Sequence, residues 1–302
     1  MPADADKMHI FNRYLAEWRS SAEKPFWSCD GAPQLDYRLL TELLRIPVVR
    51  GDSARTGVFA NALDLWIACE LEKAGFREER VWPRAEEPRV ADPNLIRAIE
   101  AAEGLTDRQI ACELRAGGAQ TNANVMGAVY TKQVDVGMSN WLTGPEMLIS
   151  TKTMSGSFGK NLANRFEEAY GDVKNLRERY PLCAHGFFFL AHESIVDEPA
   201  TFEKAIHMLR QLSRDGDVYD AVALLLVNWD SAASVDASLG EDKWSDETPV
   251  SISCKSQGRV PKELSCEHFF QVLIDIVLAN SPTDAHLEVR SMRTGKQVSG
   301  SA

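Results

Sequence analysis

Apolar residues recur at three- and four-residue spacing over His9–Trp18 and Asp36–Leu44, the period of helices that bury one face. Pro25, Gly31 and Pro33 separate the two, and together they predict an N-terminal helical extension over residues 1–50. A new unit starts at Gly51-Asp-Ser-Ala-Arg-Thr-Gly57. The spacing predicts a helix from Val58 to Ala74, with Gly75 as its C-terminal stop. Val81-Trp82-Pro83-Arg84 closes that unit. Residues 93–116 read as a helical insertion, Asn94–Glu103 followed by Asp107–Arg115, and 117–124 as a polar loop.

The period then shortens. Val125–Tyr130, Gln133–Met138 and Met147–Thr153 have the short apolar pattern of strands, with turn residues over Trp141–Gly144. Ser155-Gly-Ser157 leads into a long helix, Phe158–Tyr180, whose buried stripe is Phe158, Leu162, Phe166, Ala169, Val173 and Leu176. Gly186–Ala191 and Ala221–Trp229 are uninterrupted apolar runs on either side of a helix, Pro199–Leu212. Such runs suit interior strands covered on both faces. Residues 230–262 are irregular apart from a short strand at Val250–Cys254, Glu267–Ala279 forms a last helix, and 294–302 reads as a disordered tail. This order predicts an α/β domain over 51–293, with three layers and a central mixed β-sheet flanked by helices.

Composition narrows the function. A net charge of −11 argues against a protein that coats nucleic acid indiscriminately, because such binding is driven by neutralising phosphates. Residues 131–180, with seven Lys/Arg against six Asp/Glu, are close to neutral and leave room for a local DNA cleft. The absence of a long uncharged apolar run predicts no membrane span. The polar start, Met1-Pro-Ala-Asp-Ala-Asp-Lys7, lacks a signal-peptide core, so the expected location is cytoplasmic. The six cysteines are widely spaced and form no CxxC pair, which predicts reduced residues, mostly filling the core, rather than a zinc ribbon. With six histidines and no HxH or HxxxH pair, a histidine metal site is not expected either.

The chemistry concentrates in Lys132-Gln-Val-Asp135-Val-Gly-Met138 and Gly144-Pro-Glu-Met-Leu-Ile-Ser150-Thr-Lys152-Thr153. Two strands joined by a turn bring Asp135 and Lys152 to one end of a sheet, and period-two alternation puts Ser150 and Lys152 on one face. A lysine ending an apolar strand must be paired or open onto a cleft. Glu146 begins that strand, roughly 20 Å from Lys152, too far to share the site. Glu70 falls on the buried arc of its helix and therefore needs a partner or a metal nearby.

These two segments, and the order of elements from about residue 54 to 230, resemble the PD-(D/E)xK nuclease superfamily, the restriction-endonuclease-like fold. The resemblance implies a divalent-metal-dependent endonuclease on double-stranded DNA, most simply a type II-like restriction enzyme. Its implied cofactor is Mg2+, with Mn2+ able to substitute. Its implied partners are a second copy of the chain, as a homodimer, and a cognate DNA methyltransferase encoded nearby. Two positions depart from the family pattern: Val134 replaces the proline, and Ser150 stands where an acid is expected. Ser-x-Lys also resembles the variant motif of restriction enzymes that cut CCGG-containing sites, in which a glutamate on the following helix completes the metal site. Glu167 and Glu168, 15 and 16 residues after Lys152, are the two candidates; spacing slightly favours Glu167 and helical phase slightly favours Glu168, so the two stay nearly equal.

On this reading Asp135, one of the two glutamates and the Thr151 carbonyl hold the metal, with Glu70 in support. Lys152 orients the attacking water or stabilises the phosphorane, and Lys132, Lys160, Asn161 and Arg165 hold the DNA backbone. Trp141 and Thr121–Asn124 are further candidates for base contact. Two alternatives stay open: a defence or repair nuclease on modified or damaged DNA, and a catalytically silent member that binds DNA or a protein.

Overall fold

The computed structural model describes residues 8–21, 25–53, 56–102, 104–118, 122–140, 143–214, 218–229, 250–254 and 258–294. The chain is α/β. Its main sheet has six strands in the order β1-β4-β5-β6-β7-β8: β1 (Val81–Trp82), β4 (Val136–Asn140), β5 (Gly144–Met154), β6 (Ala184–His192), β7 (Ala221–Trp229) and β8 (Ile252–Cys254). The sheet is mixed, with β5, β6 and β7 parallel and the other neighbours antiparallel. Strands β2 (Ala123–Met126) and β3 (Thr131–Val134) form a separate antiparallel hairpin.

Helices cover both faces. On one side α3 (Val58–Lys73) lies against β4 and β5, and α8 (Cys266–Asn280) against β6 and β7. On the other, α6 (Phe158–Arg179) lies against β5 and β6, and α7 (Pro199–Ser213) against β7. Alternation along the central strands feeds both cores. Phe188, Leu190, Ala223 and Leu225 point to the α3/α8 side, and Phe187, Phe189, Val222 and Leu224 to the α6/α7 side. This is the reason β6 and β7 read as unbroken apolar runs.

The N-terminal helices α1 (Asn12–Ser20) and α2 (Tyr37–Val49) share the α3/α8 core. Asp36, expected inside the second helix, is its N-cap and accepts from the Leu39 N–H. The Asp36 carbonyl accepts the Trp66 indole N–H at 3.0 Å, and Trp66 meets Phe188 and Phe270 edge-on. Helix α3 is buried nearly all round, because α2 covers the side that faces away from the sheet.

The expected insertion is present as α4 (Pro93–Ala101) and α5 (Leu105–Gly118), and a further helix, α9 (Leu287–Thr294), was not foreseen. The expected strand Gln133–Met138 is broken: the chain bends at Asp135 and passes from the hairpin into the main sheet. Cys69, Cys183 and Cys266 are buried as expected of core filler, whereas Cys29 and Cys112 are exposed. Thr121, Trp141, residues 230–249 and the tail from residue 295 lie outside the described residues.

Candidate active site

The end of β5 is organised by Thr151. Strand β4 joins β5 only from Val136, opposite Ile149. One residue earlier the Asp135 carboxylate takes the place of a strand partner, and its Oδ2 accepts the Thr151 N–H at 2.9 Å. Met147 and Ile149 face the α3 side and Leu148 the α6 side, so Thr151 points towards α3. There its hydroxyl donates to Asp64 Oδ1 at 2.6 Å. One residue thus holds two acids, one through its backbone and one through its side chain.

Both carboxyls are driven towards the protonated form. For Asp64, which is only 4% exposed, burial is the main cause and the charge of Asp135 adds to it. The Thr151 hydroxyl and Lys152 pull the other way. For Asp135 burial again dominates, opposed by the Thr151 amide, Lys152 and Lys132, with Asp172 reinforcing the rise. A pair of acids that resist ionisation together is a site where positive charge is wanted.

Lys152 lies on the opposite face of β5 from Thr151, and its Nζ is 3.5 Å from Glu168 Oε1. It acts electrostatically on Asp64, Asp135 and Glu168, and is the cation common to all three. Burial raises the Glu168 carboxyl, but Lys152 and Arg165 outweigh it and the net shift is downward. Arg165 donates to Glu168 Oε2 at 3.0 Å.

The remaining candidates fall out differently. Ser150 lies beside the Tyr219 hydroxyl, which itself donates to the Ala169 carbonyl. It packs β5 against α6 and lies on the face away from Asp64. Glu167 is exposed, while Glu168 neutralises Lys152 and Arg165 and does not join the two aspartates as a third carboxylate. Glu70 is occupied elsewhere: Oε1 accepts the Asp36 N–H at 2.7 Å and Oε2 pairs with Lys73 at 3.0 Å, so its role is to hold α2 on α3. Lys132 is paired with Asp172 and is not a free phosphate contact. Lys160 is exposed, and Asn161 donates to the Ser157 carbonyl at 3.3 Å. Glu146 pairs with His286 at 3.2 Å, far from Lys152 as its place at the start of the strand required.

Asp64 is the residue that sequence reasoning missed. A carboxylate inside the apolar run Val58–Leu71 was a signal, but Glu70 carried the same one, and only α2 and β5 decide between them. Among the described residues no group of three or more His, Cys, Asp and Glu converges. The donor set at the end of β5 is therefore two carboxylates beside an ammonium. That set fits magnesium, which is commonly held by one or two carboxylates and keeps several of its waters. Comparison of the chain with protein-family models, with curated proteins and with solved structures gave no match.

Proposed function

We propose that this chain is a divalent-metal-dependent endonuclease acting on double-stranded DNA, with its centre at Asp64, Asp135 and Lys152. The observation that carries the reading is the convergence of two charge-resisting carboxylates on one threonine at the end of a strand, with Lys152 as their common cation. Asp64 and Asp135 would hold Mg2+ or Mn2+, which supplies an activated water near neutral pH and stabilises charge on the phosphate. Thr151 fixes the direction of both carboxylates. Lys152, paired with Glu168, would orient a water or meet negative charge as it develops on a phosphate. Glu168 sets the position of Lys152 and need not touch the metal.

The test is incubation of bacteriophage DNA with the protein and magnesium. Discrete fragments support a type II-like restriction enzyme, working as a homodimer so that two centres face opposite strands. Cleavage confined to modified or damaged DNA supports a defence or repair nuclease. Asp64→Asn, Asp135→Ala and Lys152→Ala should each lower the rate by at least about a hundredfold. Wild-type rates in all three variants would remove this site from consideration. A second reading, a catalytically silent DNA-binding member, is favoured by the lack of a third acid at the centre among the described residues. It predicts DNA binding with no cleavage and no uptake of Mn2+ at millimolar concentration.

A further inference from the structure

The β2–β3 hairpin is built to present a face. Its inner side, Ala123, Val125 and Val134, packs into a small core with Trp82, Leu148 and Leu176. The loop at its tip is fastened to α6. Asn175 Oδ1 accepts the N–H groups of Val129 and Tyr130 at 2.8 and 3.2 Å, and its Nδ2 donates to the Tyr130 carbonyl at 2.9 Å. Gly127 is required there, because a Cβ would lie 2.1 Å from Asn175 Nδ2. Lys132, on the inner side, pairs with Asp172, to which the Tyr130 hydroxyl also donates.

The outer side carries Asn124 opposite Gln133 and Met126 opposite Thr131, all four exposed, with Val129 at the tip 82% exposed. It holds amides, a hydroxyl and methyl-bearing groups, and no charge. The Gln133 amide donates to Asn122, so the amides stand side by side. No Asp or Glu occurs between Glu113 and Asp135, an acid-free stretch in a chain of net charge −11. Strand β3 ends at Val134, one residue before the candidate centre.

From this arrangement we infer that the outer face of the β2–β3 hairpin enters the major groove of duplex DNA and reads bases beside the phosphate held at Asp135. This rests on the nuclease reading above. A two-stranded ribbon fits the major groove, Asn and Gln side chains pair with the adenine edge, and methyl groups meet the thymine methyl. A protein surface made for phosphates would carry Lys and Arg; one made for base edges carries what this face carries. The covalent continuity of β3 with Asp135 couples the register of reading to the position of the cut.

The experiment uses the full-length protein in Ca2+, chosen to support binding without cleavage, and a duplex library of randomised sequence. Retained DNA is sequenced, and cleavage in Mg2+ is followed separately. Wild type should enrich a preferred sequence. Asn124→Ala combined with Gln133→Ala, both exposed and so expected to fold, should lose preference at one or more positions and bind the preferred duplex about tenfold or more weakly. Replacing thymine by uracil in that duplex, which deletes the major-groove methyl, should weaken wild type and leave Met126→Ser/Val129→Ser indifferent. Equal preference and affinity in wild type and the amide variant would overturn the inference while leaving the nuclease reading intact. So would retention of DNA by wild type with no sequence preference. Binding with preference but no cleavage would support the inference and overturn the nuclease reading. Failure of wild type to retain any duplex would overturn both.

Discussion

Thr151 makes the clearest demand on a single side chain. Its amide and hydroxyl orient Asp135 and Asp64 from two sides of one strand residue, a supporting role that metal sites assign to groups behind the ligands. Thr151→Val preserves shape and β-branching but removes the hydroxyl. It should weaken Mn2+ binding by about 10–100-fold, and excess metal should recover the cleavage rate. Titration calorimetry with Mn2+ checks this, and unchanged affinity would mean that Asp64 needs no such support. The adjacent Ser150 is a case in which residue type misled. By sequence it is a missing acid in a metal motif; in the fold it lies under α6 beside Tyr219.

Among the elements, the hairpin is a small sheet of its own, fastened to α6 through Asn175. Asn175, 4% exposed, supplies the acceptor for two backbone N–H groups that a tight turn cannot satisfy by itself. Asn175→Ala should leave those groups unpaired, at a local cost of about 1–3 kcal/mol. Hydrogen exchange should then speed up over residues 123–134 while β6 and β7 stay protected. Uniform exchange across the chain would show that the hairpin has no separate stability. Helix α3 and strand β5 contribute Asp64 and Thr151, and the two elements meet in the apolar core to which Ile149 and Met147 belong.

At the level of the whole molecule, buried acids tie stability to pH. Burial pushes Glu72 up to about 7, with Arg19 pulling it back, and Glu70 is likewise raised to about 7 by burial against the pull of Lys73. A carboxyl whose folded value lies above its ordinary 4.5 binds its proton more tightly in the fold. The stability it contributes is complete below about 4.5 and is lost as the pH rises through about 7. Glu72→Gln removes that dependence. The stability of this variant relative to wild type should therefore rise in its favour between those two values, by an amount on the order of 3 kcal/mol, and level off above. Thermal melts at a series of pH values read this directly, and a difference that does not change with pH would contradict it. No helix among the described residues is long and apolar enough to cross a membrane.

The sequence by itself determined the alternation of elements and the α/β layering, because both follow from local period. Two-faced burial makes β6 and β7 continuously apolar, and the one-sided stripes of α6 and α7 follow from covering a sheet. It also singled out Asp135 and Lys152, since a strand end that carries a charge is visible one residue at a time. The tertiary structure alone decided which other acid joins them. Asp64 and Glu70 sit six residues apart in the same buried helix, and burial marks both equally. What separates them is the neighbour each meets: the Asp36 amide and Lys73 for Glu70, and the Thr151 hydroxyl and the charge of Asp135 for Asp64. The bend at Asp135 was hidden for the same reason. A strand pattern records which faces are apolar, whereas the hydrogen bond from Thr151 that turns the chain there comes from a residue 16 positions away.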